Sequence, residues 1–131
     1  MGLGRKRPDA SREVTLKNDR RSAVPLAIEP YGDLFWLEPG ASVRLVAKGP
    51  AGGSLHVLDV PDRIELFLWP GATGTLFQAD NGAVVEEYRV PIPALPSEMS
   101  VADFVHFMND NTARYQPADD RRIPGTYRRR I

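Results

Sequence analysis

Between residues 12 and 90 clusters of Pro, Gly, Asn and Asp interrupt the chain roughly every 8–12 positions, and this spacing decides most of what it can fold into. Segments that short leave little room for a helix of ordinary length, about 11 residues before its caps are counted. They do accommodate strands. The residues between the interruptions alternate apolar with polar, the period of a strand that covers one face. In 13–17, Val14 and Leu16 alternate with Thr15 and Lys17. In 23–29, Val24, Leu26 and Ile28 alternate with Ala and Pro, and Pro25, which has no N–H to donate, predicts an edge strand or a bulge. Further runs follow at 34–37, 42–48, 54–60, 63–69, 75–79 and 83–88. In 63–69, Ile64, Leu66 and Leu68 share one face, and Glu65, Phe67 and Trp69 the other.

The turns have their own signatures. Pro39-Gly40 and Pro70-Gly71 fit type II turns, where Pro presets φ and Gly accepts a positive φ. Asn81-Gly82 is the preferred pair for a type I′ hairpin. The expectation is an all-β fold: an antiparallel β-sandwich of seven or eight strands, immunoglobulin-like or cupredoxin-like, over 12–90. A small β-barrel is the alternative.

Beyond the strands the pattern changes. Prolines at 91, 93 and 96 predict an extended spacer over 91–99. Val101, Phe104, Val105 and Met108 recur at i, i+3, i+4 and i+7, after a capping-box-like Ser100-Val-Ala-Asp103, and predict an amphipathic helix over 100–113. Residues 114–131 contain Pro117, Pro124 and Gly125, show no period, and read as a basic tail that orders only where it finds a surface. Residues 1–11 read as a basic arm. With 131 residues, one domain can bury about two-thirds of its extended-chain surface, enough for a core.

Net charge is zero, but the charges are segregated. Residues 1–21 carry net +4, 22–113 net −8 and 114–131 net +4. The basic ends therefore either fold back on an acidic body, its own or a second copy's, or project toward an anionic partner. The absence of cysteine excludes disulfides, thiolate nucleophiles and thiolate-ligated metal sites. No apolar run follows the basic start, so no secretory signal is read there, and the cytoplasm is the expected compartment. No nucleotide, serine-hydrolase or metalloprotease motif is present. His56 and Asp59 diverge on a strand, and Asp103, His106 and Asp110 share the polar helix face, so neither set forms a convincing metal or acid–base centre. No enzyme activity, cofactor or metal is expected.

Val14-Thr-Leu-Lys-Asn18, Pro25-Leu-Ala-Ile-Glu-Pro-Tyr-Gly32 and Leu37-Glu-Pro-Gly-Ala-Ser-Val43 resemble a group of small uncharacterised bacterial β-sandwich proteins. The shared pattern is an asparagine-ended first strand, a Glu-Pro-aromatic-Gly turn and a following Pro-Gly turn. The resemblance spans about 12–90, implies a sandwich, and carries no known activity.

The expected function is a non-enzymatic protein-interaction or assembly module. Phe104 and Met108 of the helix, with Arg121, Arg122, Arg128, Arg129 and Arg130 of the tail, would contact an acidic surface on a protein partner or in a homo-oligomer. One alternative is nucleic-acid binding through Arg5–Arg7 and Arg128–Arg130, which the acidic body disfavours. Another is small-molecule or glycan binding at an aromatic patch of Trp36, Phe67 and Trp69.

Overall fold

A computed structural model describes residues 9–93 and 116–125. The expected helix at 100–113, with Phe104 and Met108, lies outside the described residues. So do Arg5–Arg7 and Arg128–Arg130.

All eight expected strands form: β1 (Asp9–Lys17), β2 (Val24–Glu29), β3 (Asp33–Leu37), β4 (Ser42–Pro50), β5 (His56–Val60), β6 (Arg63–Phe67), β7 (Thr73–Gln78) and β8 (Val84–Tyr88). A ninth, β9 (Arg122–Ile123), lies in the stretch read as tail. They make two sheets, one ordered β1-β4-β7-β8 and the other β5-β6-β2-β3-β9. The result is sandwich-like, with separate sheets rather than a closed barrel.

The core fills the space between the sheets. Leu26, Ile28, Leu37, Leu66 and Ile123 from the five-stranded sheet meet Val43, Leu45, Leu76 and Tyr88 from the four-stranded one. Leu26, Ile28 and Leu66 are among the residues the period-two reading placed on one face, whereas Ile123 comes from the stretch read as tail. Each fully buried aliphatic side chain contributes about 1.5–3 kcal/mol, so this interlayer cluster dominates stability.

The pairing is not wholly antiparallel. β2 runs parallel to β6, with Leu26 opposite Ile64 and Ile28 opposite Leu66. β9 runs parallel to β3. Pro25 is also not on an edge, since β2 is central between β6 and β3. Its missing donor is harmless for a geometric reason. Pro25 pairs with Trp36, and the Trp36 N–H donates away from β2, to the Arg121 carbonyl at 2.7 Å. The pair is therefore a non-hydrogen-bonded one. The absent Pro25 N–H would face β6, whose ladder opens only at Leu26–Ile64.

The turns match their chemistry. Gly40 and Gly71 hold φ of 79° and 84°. The bonds Ala41 N–H to Glu38 O (2.9 Å) and Ala72 N–H to Trp69 O (3.0 Å) close the two Pro-Gly turns. The β7–β8 hairpin forms, but with a longer loop than a two-residue type I′ turn. Gln78 N–H donates to Ala83 O, and Gly82 N–H reaches back to Gln78 O at 2.9 Å. A register shift between Leu76 and Phe77 accommodates the extra length.

Asn18, which follows β1, ties the β1–β2 loop to the end of β3 and the β3–β4 turn. It is 1% exposed. Its amide donates to Leu37 O at 2.8 Å and Ser22 O at 3.0 Å, and its Oδ1 accepts from Arg20 N–H at 2.9 Å. Its backbone also pairs with Gly40 and Ala41. Asn18→Ala leaves buried backbone groups without partners, and we expect a loss of about 2 kcal/mol in urea unfolding. An unchanged midpoint and slope would refute this bracing role.

Candidate functional site on the five-stranded sheet

Among the described residues, two cation–π contacts and two ion pairs come together where the C-terminal segment meets β3. Arg121 N–H donates to Ala118 O at 3.0 Å and closes a turn through Asp119 and Asp120. The chain then runs beside β3. Trp36 N–H donates to Arg121 O, and Glu38 N–H donates to Ile123 O at 3.0 Å. Pro124, which has no N–H, follows the two paired residues.

Alternation then sends the three side chains to different places. Ile123 enters the core at 2% exposure. Arg121 lies 4.2 Å over the Phe35 ring, and its Nη1 is 2.8 Å from Asp33 Oδ1. Arg122, on the opposite face, lies 5.5 Å over Trp36 and pairs with Glu38 at 2.8 Å. Trp36 Nε1 donates to Pro117 O at 3.1 Å. Asp33 is shared, because its Oδ2 accepts from the Tyr88 hydroxyl at 2.7 Å. Tyr88 stacks on Tyr31 at 4.7 Å, so the segment is linked through Asp33 to the opposite sheet. Burial, then the Asp33 hydrogen bond, pushes the Tyr88 hydroxyl well above the usual phenol range.

The magnitudes assign roles. Exposed ion pairs contribute about 0.2–1 kcal/mol and exposed cation–π contacts about 0.5–1 kcal/mol. Burying Ile123 is worth about 1.5–3 kcal/mol. Ile123 is therefore the anchor, and the two arginines fix register and selectivity. A recess of about 370 Å³ opens beside them, lined by Phe35, Gln78, Val85, Glu86 and Arg121.

The three aromatics expected to form one exposed patch do not. Trp36 and Phe67 share the face of the five-stranded sheet that points away from the other sheet, since Trp36 registers with Pro25 and Phe67 with Glu29. Phe67, however, is only 1% exposed. Trp69 follows the end of β6 and turns back between the sheets. It is 5% exposed, and its Nε1 donates to Pro50 O at 3.0 Å. Gly53 is pressed against its ring, where a Cβ would come within 1.8 Å of Cδ1. Strand parity put Trp69 beside Phe67, and parity fails once the strand has ended.

Two acids were not singled out from the sequence. Glu29 and Glu65 are 3% and 0% exposed, on the same face as Phe67. Arg63 Nε donates to Glu65 Oε1 at 3.0 Å. Burial first, then the Glu65 charge, raises Glu29 to about 7, against a smaller lowering by the Gly32 N–H. The one available sign was Glu65 between Ile64 and Leu66, a charge inside an apolar strand. Among the described residues no group of three His, Asp or Glu side chains is placed to hold a metal. No family model, curated protein or solved structure matches the chain.

Proposed function

We propose that the chain is a non-enzymatic protein-interaction or assembly module. Its basic C-terminal segment adds as a strand to the β3 edge, and the same edge accepts the equivalent segment of a second copy or a basic segment of a partner. One observation carries this reading. A two-residue strand is seated in register, with one aliphatic anchor in the core and two guanidinium groups each held by a carboxylate and an aromatic ring. Main-chain bonds supply affinity and alternate side chains supply selectivity, as in strand addition to an exposed sheet edge. So short a pairing is exchangeable.

Other charges agree with basic ends that return to the acidic body. Arg20 pairs with Asp59 and donates to the Pro61 and Val60 carbonyls. Nucleic-acid binding is the weaker reading, because Arg20, Arg121 and Arg122 are already engaged with carboxylates. We also favour a cupredoxin-like over an immunoglobulin-like sandwich, since the parallel β2–β6 pair departs from two purely antiparallel sheets.

Deleting residues 114–131 should change the mass measured by light scattering or lower the melting temperature. A synthetic peptide of residues 116–125 should then bind the truncated chain. A truncated chain that melts and sizes like the full one and ignores the peptide would end this proposal.

A further inference from the structure

Among the described residues each sheet ends on two edge strands, β1 and β8 in one and β5 and β9 in the other. An open edge is a row of unpaired N–H and C=O groups, and proteins blunt it with proline, bulges, short length or charge. Three of these four edges are blunted. β9 has two residues and is followed by Pro124. At the end of β5, Arg20 pairs with Asp59 and donates to the Val60 and Pro61 carbonyls. β8 adjoins the register shift at Leu76 and Phe77 and carries Glu86 and Glu87 at its centre, so a centred pairing with its own copy would oppose carboxylates.

β1 has none of these devices. It has nine residues, no proline, and an unbroken register with β4 from Asp9 to Lys17. Asn18 N–H donates to Ala41 O at 2.9 Å, which continues the ladder on the β4 side. Backbone groups alternate from there. Leu16 and Val14 face β4, and Lys17, Thr15 and Glu13 present N–H and C=O to the other edge. Among the described residues no strand pairs along that edge. The Ser11 carbonyl is covered by the Arg12 guanidinium at 3.2 Å, so the open stretch is 13–17.

The side chains of this stretch decide what fits it. Glu13, Thr15 and Lys17 are exposed on the outer face of the four-stranded sheet, and Val14 and Leu16 are half-buried at the rim of the core. Arg44 holds Glu13 Oε2 at 3.1 Å and fixes the carboxylate on that outer face. In an antiparallel pairing with a second copy about a two-fold axis at Thr15, Glu13 of each chain lies opposite Lys17 of the other. Val14 then lies opposite Leu16 in the narrow, non-hydrogen-bonded pair, which covers the apolar surface each leaves open. Thr15 meets Thr15, a favourable cross-strand pair. Other registers lose this match. An axis at Glu13 opposes two carboxylates, and one at Val14 sets Arg12 against Leu16. An axis at Leu16 or Lys17 carries Glu13 past the end of the facing strand.

We infer that two copies of the chain pair antiparallel along β1 over residues 13–17, joining their four-stranded sheets into one continuous sheet. The inference does not rest on strand exchange at β3, which belongs to the other sheet.

Sedimentation equilibrium of the full chain tests it. Five residues a side is a small interface, so a dimer with a dissociation constant of about 10–500 μM is expected. A chain still monomeric at about 1 mM overturns the inference. Glu13→Lys and Lys17→Glu each place two like-charge pairs across the axis, and each should weaken self-association at least about tenfold. Mixed in equal amounts, the two variants should associate with each other, because the charges at 13 and 17 are again opposite across the interface. Self-association unaffected by either substitution, or a mixture no more associated than its components, overturns the inference, since another surface then joins the copies. Emission from buried Trp69 reports that each variant is folded. If a variant unfolds, hydrogen exchange on the wild type decides. Amides of Glu13, Thr15 and Lys17 should be protected at high concentration and lose protection on dilution, whereas those of Val14 and Leu16 stay protected. Protection at 13, 15 and 17 that is independent of concentration, or absent throughout, overturns it.

Discussion

Glu29→Gln should stabilise the chain above pH 7 and leave it nearly unchanged at pH 4.5. In the fold the Glu29 carboxyl keeps its proton to about pH 7, against 4.5 for an unperturbed glutamate, chiefly because burial penalises its charged form. Between those values the folded state binds more protons than the unfolded state. Raising the pH through that window therefore favours unfolding. The stability associated with the neutral acid is complete below about pH 4.5 and is lost as the pH climbs to 7, by roughly 3 kcal/mol at most. Glutamine is neutral throughout and its Oε1 still accepts from Gly32. Urea unfolding at pH 4.5, 6 and 8 should show the wild type weakening with pH against a flatter variant. Parallel profiles for the two proteins would mean that Glu29 is charged and solvated in the fold.

Gly125→Val should eject the C-terminal segment from the β3 edge while leaving the sandwich folded. A Cβ at 125 would stand 2.0 Å from the Pro39 carbonyl oxygen. That carbonyl belongs to a turn closed by Ala41 and tied to Asn18 through Gly40. The turn cannot yield, so the segment must. Its departure exposes Ile123 and breaks the backbone bonds from Trp36 and Glu38, a loss of about 2–4 kcal/mol. Trp36 also loses Pro117 and Arg122, and its emission should shift to the red and become quenchable. Trp69 should stay protected between the sheets, which separates ejection from unfolding. A variant with unaltered Trp36 emission and melting temperature would mean that the segment makes no stable contact at β3.

The strands and their inward faces were legible because both are local. A period of two between turn residues fixes where a strand starts, where it stops and which side is apolar. Hence Leu26, Ile28 and Leu66 could be placed in the core from their neighbours alone. β9 was not legible, because two residues are too few to show a period, and Ile123 between Arg122 and Pro124 reads as tail until β3 is beside it. Pro25 misled because its consequence depends on which side of β2 lacks a partner. Trp69 misled because alternation stops with the strand.

The sequence by itself determined the all-β class, the turn positions and the inward faces of strands such as β2 and β6, since backbone preference and side-chain alternation are properties of adjacent residues. Only the tertiary structure decided that β2 would lie parallel to β6, that Arg121 and Arg122 would find Asp33 and Glu38, and that Glu29 and Glu65 would be withdrawn from water. Each of these depends on groups far apart in the chain. Their meeting is selected by the burial and charge of the whole assembly, and no local segment encodes it.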